Sequence, residues 1–152
     1  MKKELKIYIL VLFLTTLLSC GYEPLNKNNA ENLIIISQKI FIGDNKINRK
    51  IFNILNLKEK NEENGFKLEL NSIKKIEGVS KDKSGNITTY KTSIIVAVRL
   101  IDNGKQIKSK TFSKNFNYSN ISNKFDLKKY QNNVEKNLIN SLYKKIKIYL
   151  YN

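Results

Sequence analysis

The chain of 152 residues has no histidine, no tryptophan, a single cysteine and a single proline. Histidine is the side chain that most readily exchanges protons near neutral pH, so its absence excludes a histidine-based catalytic base. One cysteine cannot close an intrachain disulfide, and a metal site built from His and Cys is excluded with it. Carboxylates are also few, 13 Asp and Glu against 28 Lys and Arg, for a net charge of +15. The one acidic cluster, Glu59, Glu62 and Glu63, lies in a Lys- and Asn-rich stretch and reads as a solvated helix end rather than a catalytic pair. The chain is therefore expected not to be an enzyme, and no cofactor or metal is expected in it.

What is present begins at the N-terminus. Lys2, Lys3 and Lys6 precede or open an apolar run, Ile7 to Leu18, which ends in Leu17-Leu18-Ser19-Cys20. A basic start, an uncharged core of about a dozen residues and a small residue before a cleavage point describe a secretory signal. The run is shorter than the roughly 20 apolar residues a spanning helix needs. The alternative is an uncleaved membrane anchor with Cys20 a bystander. Leu17-Leu18-Ser19-Cys20 resembles the bacterial lipobox, Leu-x-[Gly/Ala/Ser]-Cys. That resemblance implies a diacylglycerol on the Cys20 thiol, cleavage before Cys20 and an acyl chain on the new amino group. A single acyl chain binds a membrane only reversibly, whereas several hold it stably. Gly21 follows Cys20, where an Asp would be the inner-membrane retention signal of enteric bacteria. The resemblance thus implies the periplasmic side of the outer membrane.

Residues 1–19 are read as the signal peptide, 20–32 as a lipidated flexible tether and 33–152 as one α+β domain. Removing 1–19 leaves 133 residues, a length that fits a single core. It also removes three lysines and one glutamate, so the net charge falls from +15 to +13. Such a surplus favours anionic partners such as lipid head groups or a phosphorylated glycolipid. Nucleic acid is not expected for an exported lipoprotein. The alternative for much of this charge is ordinary solvated surface.

Residues 33–42 are short and rich in Ile and Phe, a strand. Gly43-Asp44-Asn45 ends it, and Asp44 or Asn45 can cap a helix over 46–59 whose Ile47, Ile51, Ile54, Leu55 and Lys58 recur at helical spacing. Phe66, Leu68 and Leu70 alternate with polar residues, giving a strand with one buried face. It continues unevenly through Ile73, Ile76 and Val79 to a turn at residues 81–86. A second run covers 87–102. Asn103-Gly104 is a hairpin signal, because both residues tolerate positive φ, and a further strand covers 106–118. Leu127, Tyr130, Val134, Leu138, Leu142 and Ile146 then form one stripe of a long helix. Asp126 or Ser122 can cap its start, and Lys144, Lys145 and Lys147 complement the dipole at its end. The expected order is β-α-β-β-β-α, a two-layer sandwich in which a four-stranded sheet carries both helices on one face. Ile94, Val96, Val98 and Leu100 then face the helices, while Ile95, Ala97, Arg99 and Ile101 face away. A half-apolar open face suits docking on a partner, though a central strand can be apolar on both sides without one.

The lipobox, the opening Cys20-Gly21-Tyr22-Glu23-Pro24-Leu25 and this order of elements together resemble the lipopolysaccharide-assembly lipoprotein family, LptE, of the α-proteobacterial type. The hexapeptide carries the motif-level likeness, and the rest is pattern. The resemblance implies a non-enzymatic protein that plugs and stabilises the lipopolysaccharide-export β-barrel, LptD, and assists lipopolysaccharide assembly. It also implies lipopolysaccharide binding by basic residues near a hairpin tip, a part that Lys81 and Lys83 can play here. Arg49, Lys50 and Lys105 are weaker candidates, and turn lysines in solvent are the alternative reading of Lys81 and Lys83. A different class is a periplasmic lipoprotein adaptor or chaperone for another envelope component, and a third is a lipid- or peptide-binding module with a large apolar cavity.

Replacing Cys20 with Ser is expected to abolish palmitate labelling and to release the protein from the membrane fraction. Unchanged labelling and fractionation would contradict the lipobox reading.

Overall fold

A computed structural model describes residues 34–60 and 65–152. The expected signal peptide, Cys20 and the tether lie outside the described residues, as do Glu62 and Glu63. The described elements are β1 (Ile35–Gly43), α1 (Asn45–Leu55), β2 (Lys58–Glu59), β3 (Phe66–Lys81), β4 (Ile87–Asp102), β5 (Lys105–Ser119) and α2 (Lys124–Tyr151). They form one mixed sheet in the order β2-β1-β3-β4-β5. β1 runs parallel to both β2 and β3, and the β3–β4 and β4–β5 pairs are antiparallel. The α+β class and the two helices agree with the expectation, but the sheet has five strands rather than four.

The extra strand arises where α1 stops. The expected helix over 46–59 ends at Leu55, because Asn56 adopts a left-handed conformation with φ 50° and ψ 44°. Asn is among the few residues that enter this region readily, and the turn it makes ends a helix. Leu57 is then buried, and Lys58 and Glu59 pair with Ile35 and Ile36. Lys58 thus belongs to a strand rather than to the helical stripe. Ile54 also leaves the stripe and is exposed, while Ile47, Asn48, Ile51, Phe52 and Leu55 are buried.

The junction between β1 and α1 is tight. Gly43 has φ +76°, and a Cβ there would stand 2.1 Å from the Ser72 carbonyl oxygen. Only glycine fits that approach. It lets the Asp44 N–H donate to the Ser72 carbonyl at 2.8 Å, while the Asp44 carboxylate accepts from the Lys46 and Ile47 amides. Asp44 is therefore the N-cap, as its position suggests. For α2 the cap is Asn123, not Asp126 or Ser122: its side-chain oxygen accepts from the Phe125 and Asp126 amides.

The expected hairpin turn is present. Asn103 and Gly104 have φ 46° and 78°, and Asp102 pairs with Lys105 across a two-residue loop. Both positive φ values match the twist of the flanking strands.

Both helices pack on one face of the sheet. The core is built from Ile47, Ile51 and Leu55 of α1, Leu68 and Leu70 of β3, Ile94, Val96, Val98 and Leu100 of β4, and Leu138, Ile139, Leu142 and Ile146 of α2. Alternation along β4 falls as expected, with Ile94, Val96, Val98 and Leu100 buried and Ile95, Ala97 and Ile101 only half-buried on the other side. Aromatic contacts close the core at its edges: Phe41 meets Phe52 edge-on, Phe112 meets Tyr149, and Tyr118 lies between Tyr90 and Tyr130.

Leu138, only 6% exposed, tests this packing. Leu138→Ala is expected to cost about 2–5 kcal/mol, because the lost contacts leave a cavity that the helix and sheet refill only in part. An unchanged thermal midpoint would place that face of α2 outside the core.

Candidate functional site

Three features stand out once the helices are placed: the sheet face they leave open, a hairpin that extends past them, and a buried carboxylate that joins the layers.

The open face is set by register. Ile40 of β1 aligns with Glu69, Arg99 and Ser109 on successive strands, and Ile42 aligns with Asn71, Ala97 and Thr111. One step further along, Ile73 aligns with Ile95 and Ser113. Ile42 and Ile73 are 41% and 49% exposed, and Ile95, Ala97 and Ile101 are half-buried. The face thus carries Ile40 and Ile42 of β1, Ile73 of β3 and Ile95, Ala97 and Ile101 of β4, set among polar Glu69, Asn71 and Arg99, and is small and polar over β5. At its centre the Glu69 carboxylate accepts from Arg99, whose Nε lies 3.1 Å away and whose terminal nitrogen also contacts it. The expected outward set of Ile95, Ala97, Arg99 and Ile101 is therefore brought together on one surface.

The hairpin follows from strand length. Sixteen-residue strands such as β3 and β4 span about 53 Å at the usual rise, whereas a 28-residue helix like α2 spans about 42 Å. Residues 75–86 are exposed throughout. The tip is held by Asp82, whose carboxylate accepts from the Ser84 amide and from both the backbone and side chain of Asn86. The Asn86 hydrogen bonds, backbone first, hold the Asp82 carboxyl below its ordinary range. Lys81 and Lys83 flank this turn and are exposed, with no ion pair among the described residues. Lys105 sits at the far end of β4, about 50 Å away at the usual rise per residue. Lys50 is committed to an internal ion pair, and Arg49 lines a separate shallow cleft beside Lys39, Phe41 and Phe52. The structure therefore groups Lys81 with Lys83 and separates them from the other three.

Sequence reasoning missed Glu135. This α2 residue is buried, and its two oxygens accept from Lys50 of α1 and Lys74 of β3 at 2.8 Å each. Its position between Val134 and Leu138 on the apolar stripe is the only sequence signal, and the partners lie 85 and 61 residues away. It missed the end of α2 as well. Lys144, Lys145 and Lys147 lie before the last turn, and no basic residue of the helix falls within it. Lys108 of β5 instead donates to the terminal carbonyls of Tyr149 and Leu150, which suits the negative end of the helix dipole.

Among the described residues no cluster of three metal-ligating side chains occurs, and no helix is long and apolar enough to cross a membrane. Two clefts among the described residues are open to solvent, one between β5 and α2 and one beside Phe41 and Phe52.

No family model matches the chain, and no curated protein matches it in sequence. Solved structures do match its fold. A minor lipoprotein from Acinetobacter baumannii aligns with a TM-score of 0.62 at 10% identity, over 76% of this chain and 89% of that one. An uncharacterized lipoprotein B from Nitrosomonas europaea aligns at 0.57 and 14% identity, over 77% and 84%. Rare lipoprotein B from Shewanella oneidensis aligns at 0.53 and 15% identity, over 69% and 87%. The chain shares the fold of these small bacterial lipoproteins.

Glu135 sets a pH dependence. Burial raises its pKa, but the hydrogen bonds and charges of Lys50 and Lys74 outweigh that and hold it at about 2, against an ordinary value near 4.5. A carboxyl depressed on folding adds stability that is complete above its unfolded pKa and is lost as pH falls through its folded one. The expected loss therefore runs from about pH 4.5 down to about 2. Glu135→Gln is expected to lower stability at pH 7 and to flatten the denaturation midpoint across that window. An acid slope equal to that of the unaltered chain would remove Glu135 as its source.

Proposed function

We propose that this chain is a lipid-anchored outer-membrane protein of the LptE type, which seats in and stabilises the lipopolysaccharide-export barrel LptD and assists lipopolysaccharide assembly. The observation that carries the proposal is the open sheet face. A sheet face that no described element covers, and that sets isoleucines side by side on neighbouring strands, is suited to docking on a partner. Ile42, Ile73, Ile95, Ala97 and Ile101 supply its apolar area, and Glu69–Arg99 supplies a fixed polar pair within it.

Three further features support the reading. The lipobox at Cys20 supplies the anchor. The fold is that of small lipoproteins, rare lipoprotein B among them. Lys81 and Lys83 project on a hairpin beyond the core, where their ammonium groups can meet the phosphates of a glycolipid. Each exposed ion pair contributes only about 0–1 kcal/mol and weakens with salt, so the lysines aid recognition while the apolar face supplies most of the affinity.

Depletion of the protein is expected to lower the amount of folded LptD and to raise sensitivity to hydrophobic antibiotics. Re-expression of the unaltered chain should restore both, and Ile73→Asp with Ile95→Asp should restore neither. Normal barrel levels and unchanged surface lipopolysaccharide after depletion would contradict the plug reading and favour an adaptor for another envelope component.

A further inference from the structure

β5 ends the sheet on its side, with no strand beyond it among the described residues. It is 15 residues long. Edge strands are ordinarily kept short, because their unpaired N–H and C=O groups recruit other chains. α2 does not close this edge. An open cleft of about 250 Å³ lies between them, with Lys114, Phe116, Tyr130, Asn133, Asn137 and Ser141 in its walls.

The side chains of β5 alternate sharply. Lys108, Lys110, Phe112, Lys114 and Phe116 pair with Leu100, Val98, Val96, Ile94 and Thr92, which places them on the helix side. Ser109, Thr111, Ser113, Asn115 and Asn117 lie on the open side. Residues 105–151 hold eleven lysines against two carboxylates, Asp126 and Glu135, and Glu135 is already taken by Lys50 and Lys74. Lys108 caps α2, and Lys110 stands over the rings of Phe112 and Tyr149 at 5.7 and 5.4 Å. These contacts keep both ammonium groups close to the strand, Lys108 half-buried and Lys110 exposed.

Lysines along an edge repel a second basic strand, and so discourage pairing between copies of this chain. Toward a strand of opposite charge the same row is complementary, since opposite charges on neighbouring strands attract. We infer that the free edge of β5 is a docking strand for an extended, acidic segment of a partner protein. Its main chain would add to the sheet, as in other strand-addition complexes. Its alternate Asp or Glu residues would lie beside Lys110 and Lys114, and small or β-branched residues would lie beside the Ser, Thr and Asn row. The edge borders the open face through the Ser, Thr and Asn row, but the inference rests on the free main chain and the lysines of β5, which the barrel reading does not use.

The test uses the full chain in detergent and three ten-residue peptides: alternating Glu and Val, alternating Lys and Val, and five Glu followed by five Val. The alternating acidic peptide is expected to bind and to slow hydrogen exchange at the backbone amides of β5 that point away from β4. The basic and block peptides should bind at least tenfold more weakly. Lys110→Glu with Lys114→Glu should reverse the preference, with the thermal midpoint reporting whether that variant folds. The exchange measurement on the unaltered chain decides the matter if it does not. Equal binding of the two acidic peptides, binding that leaves the β5 amides unprotected, or binding only to vesicles of anionic phospholipid would each overturn the inference.

Discussion

Two helices can cover only one face of this sheet, and they cover that face only in part. That constraint shapes the rest of the molecule. Among the described residues, the large fully buried apolar side chains, from Ile36 and Ile47 to Leu142 and Ile146, form one core cluster. The reverse face must then satisfy itself. It does so with small polar residues on β5, a cross-strand ion pair at Glu69 and Arg99, and an apolar band that is left half in water. The length of β3 and β4 adds the second consequence, a hairpin carrying Ile76 and Val79 into solvent at 41% and 46% exposure. Single exposed apolar residues are ordinary, but an aligned set on one surface is not.

The layers are joined by charge as well as by packing. Glu135 sits on the apolar side of α2, where an unpaired carboxylate would be costly. Lys50 from α1 and Lys74 from β3 both reach it, so one buried anion fixes the relative placement of three elements. Both lysines remain partly exposed, at 41% and 28%, so they can reach the carboxylate while retaining part of their own hydration.

Period and turn chemistry made most of this fold legible. The alternation of Ile94 to Ile101 assigned both faces of β4, the Asn103-Gly104 hairpin fell where its positive φ values require, and the stripe through Leu138 and Leu142 identified the buried side of α2. The end of α1 was not legible. Lys58 and Leu55 keep helical spacing, and nothing in the local sequence shows that Asn56 will turn left-handed and release Lys58–Glu59 to pair with β1. Pairings across tens of residues were hidden for the same reason, since Glu135 finds Lys50 and Lys74 only after the layers form. At the hairpin tip, Lys81 and Lys83 could be placed from the turn residues around them, but the carboxylate of Asp82 between them, already engaged by backbone amides, could not.

The central claim is that the face without helices is the one that meets a partner. Site-specific photocrosslinking in intact cells tests it most directly, with the reactive group at Ala97 on the open face or at Asn132 on the outer side of α2. The account predicts a strong adduct between position 97 and an outer-membrane β-barrel and a weak or absent one from position 132. An adduct to the barrel from 132 alone, or none from either position while the protein remains folded and membrane-bound, would contradict it.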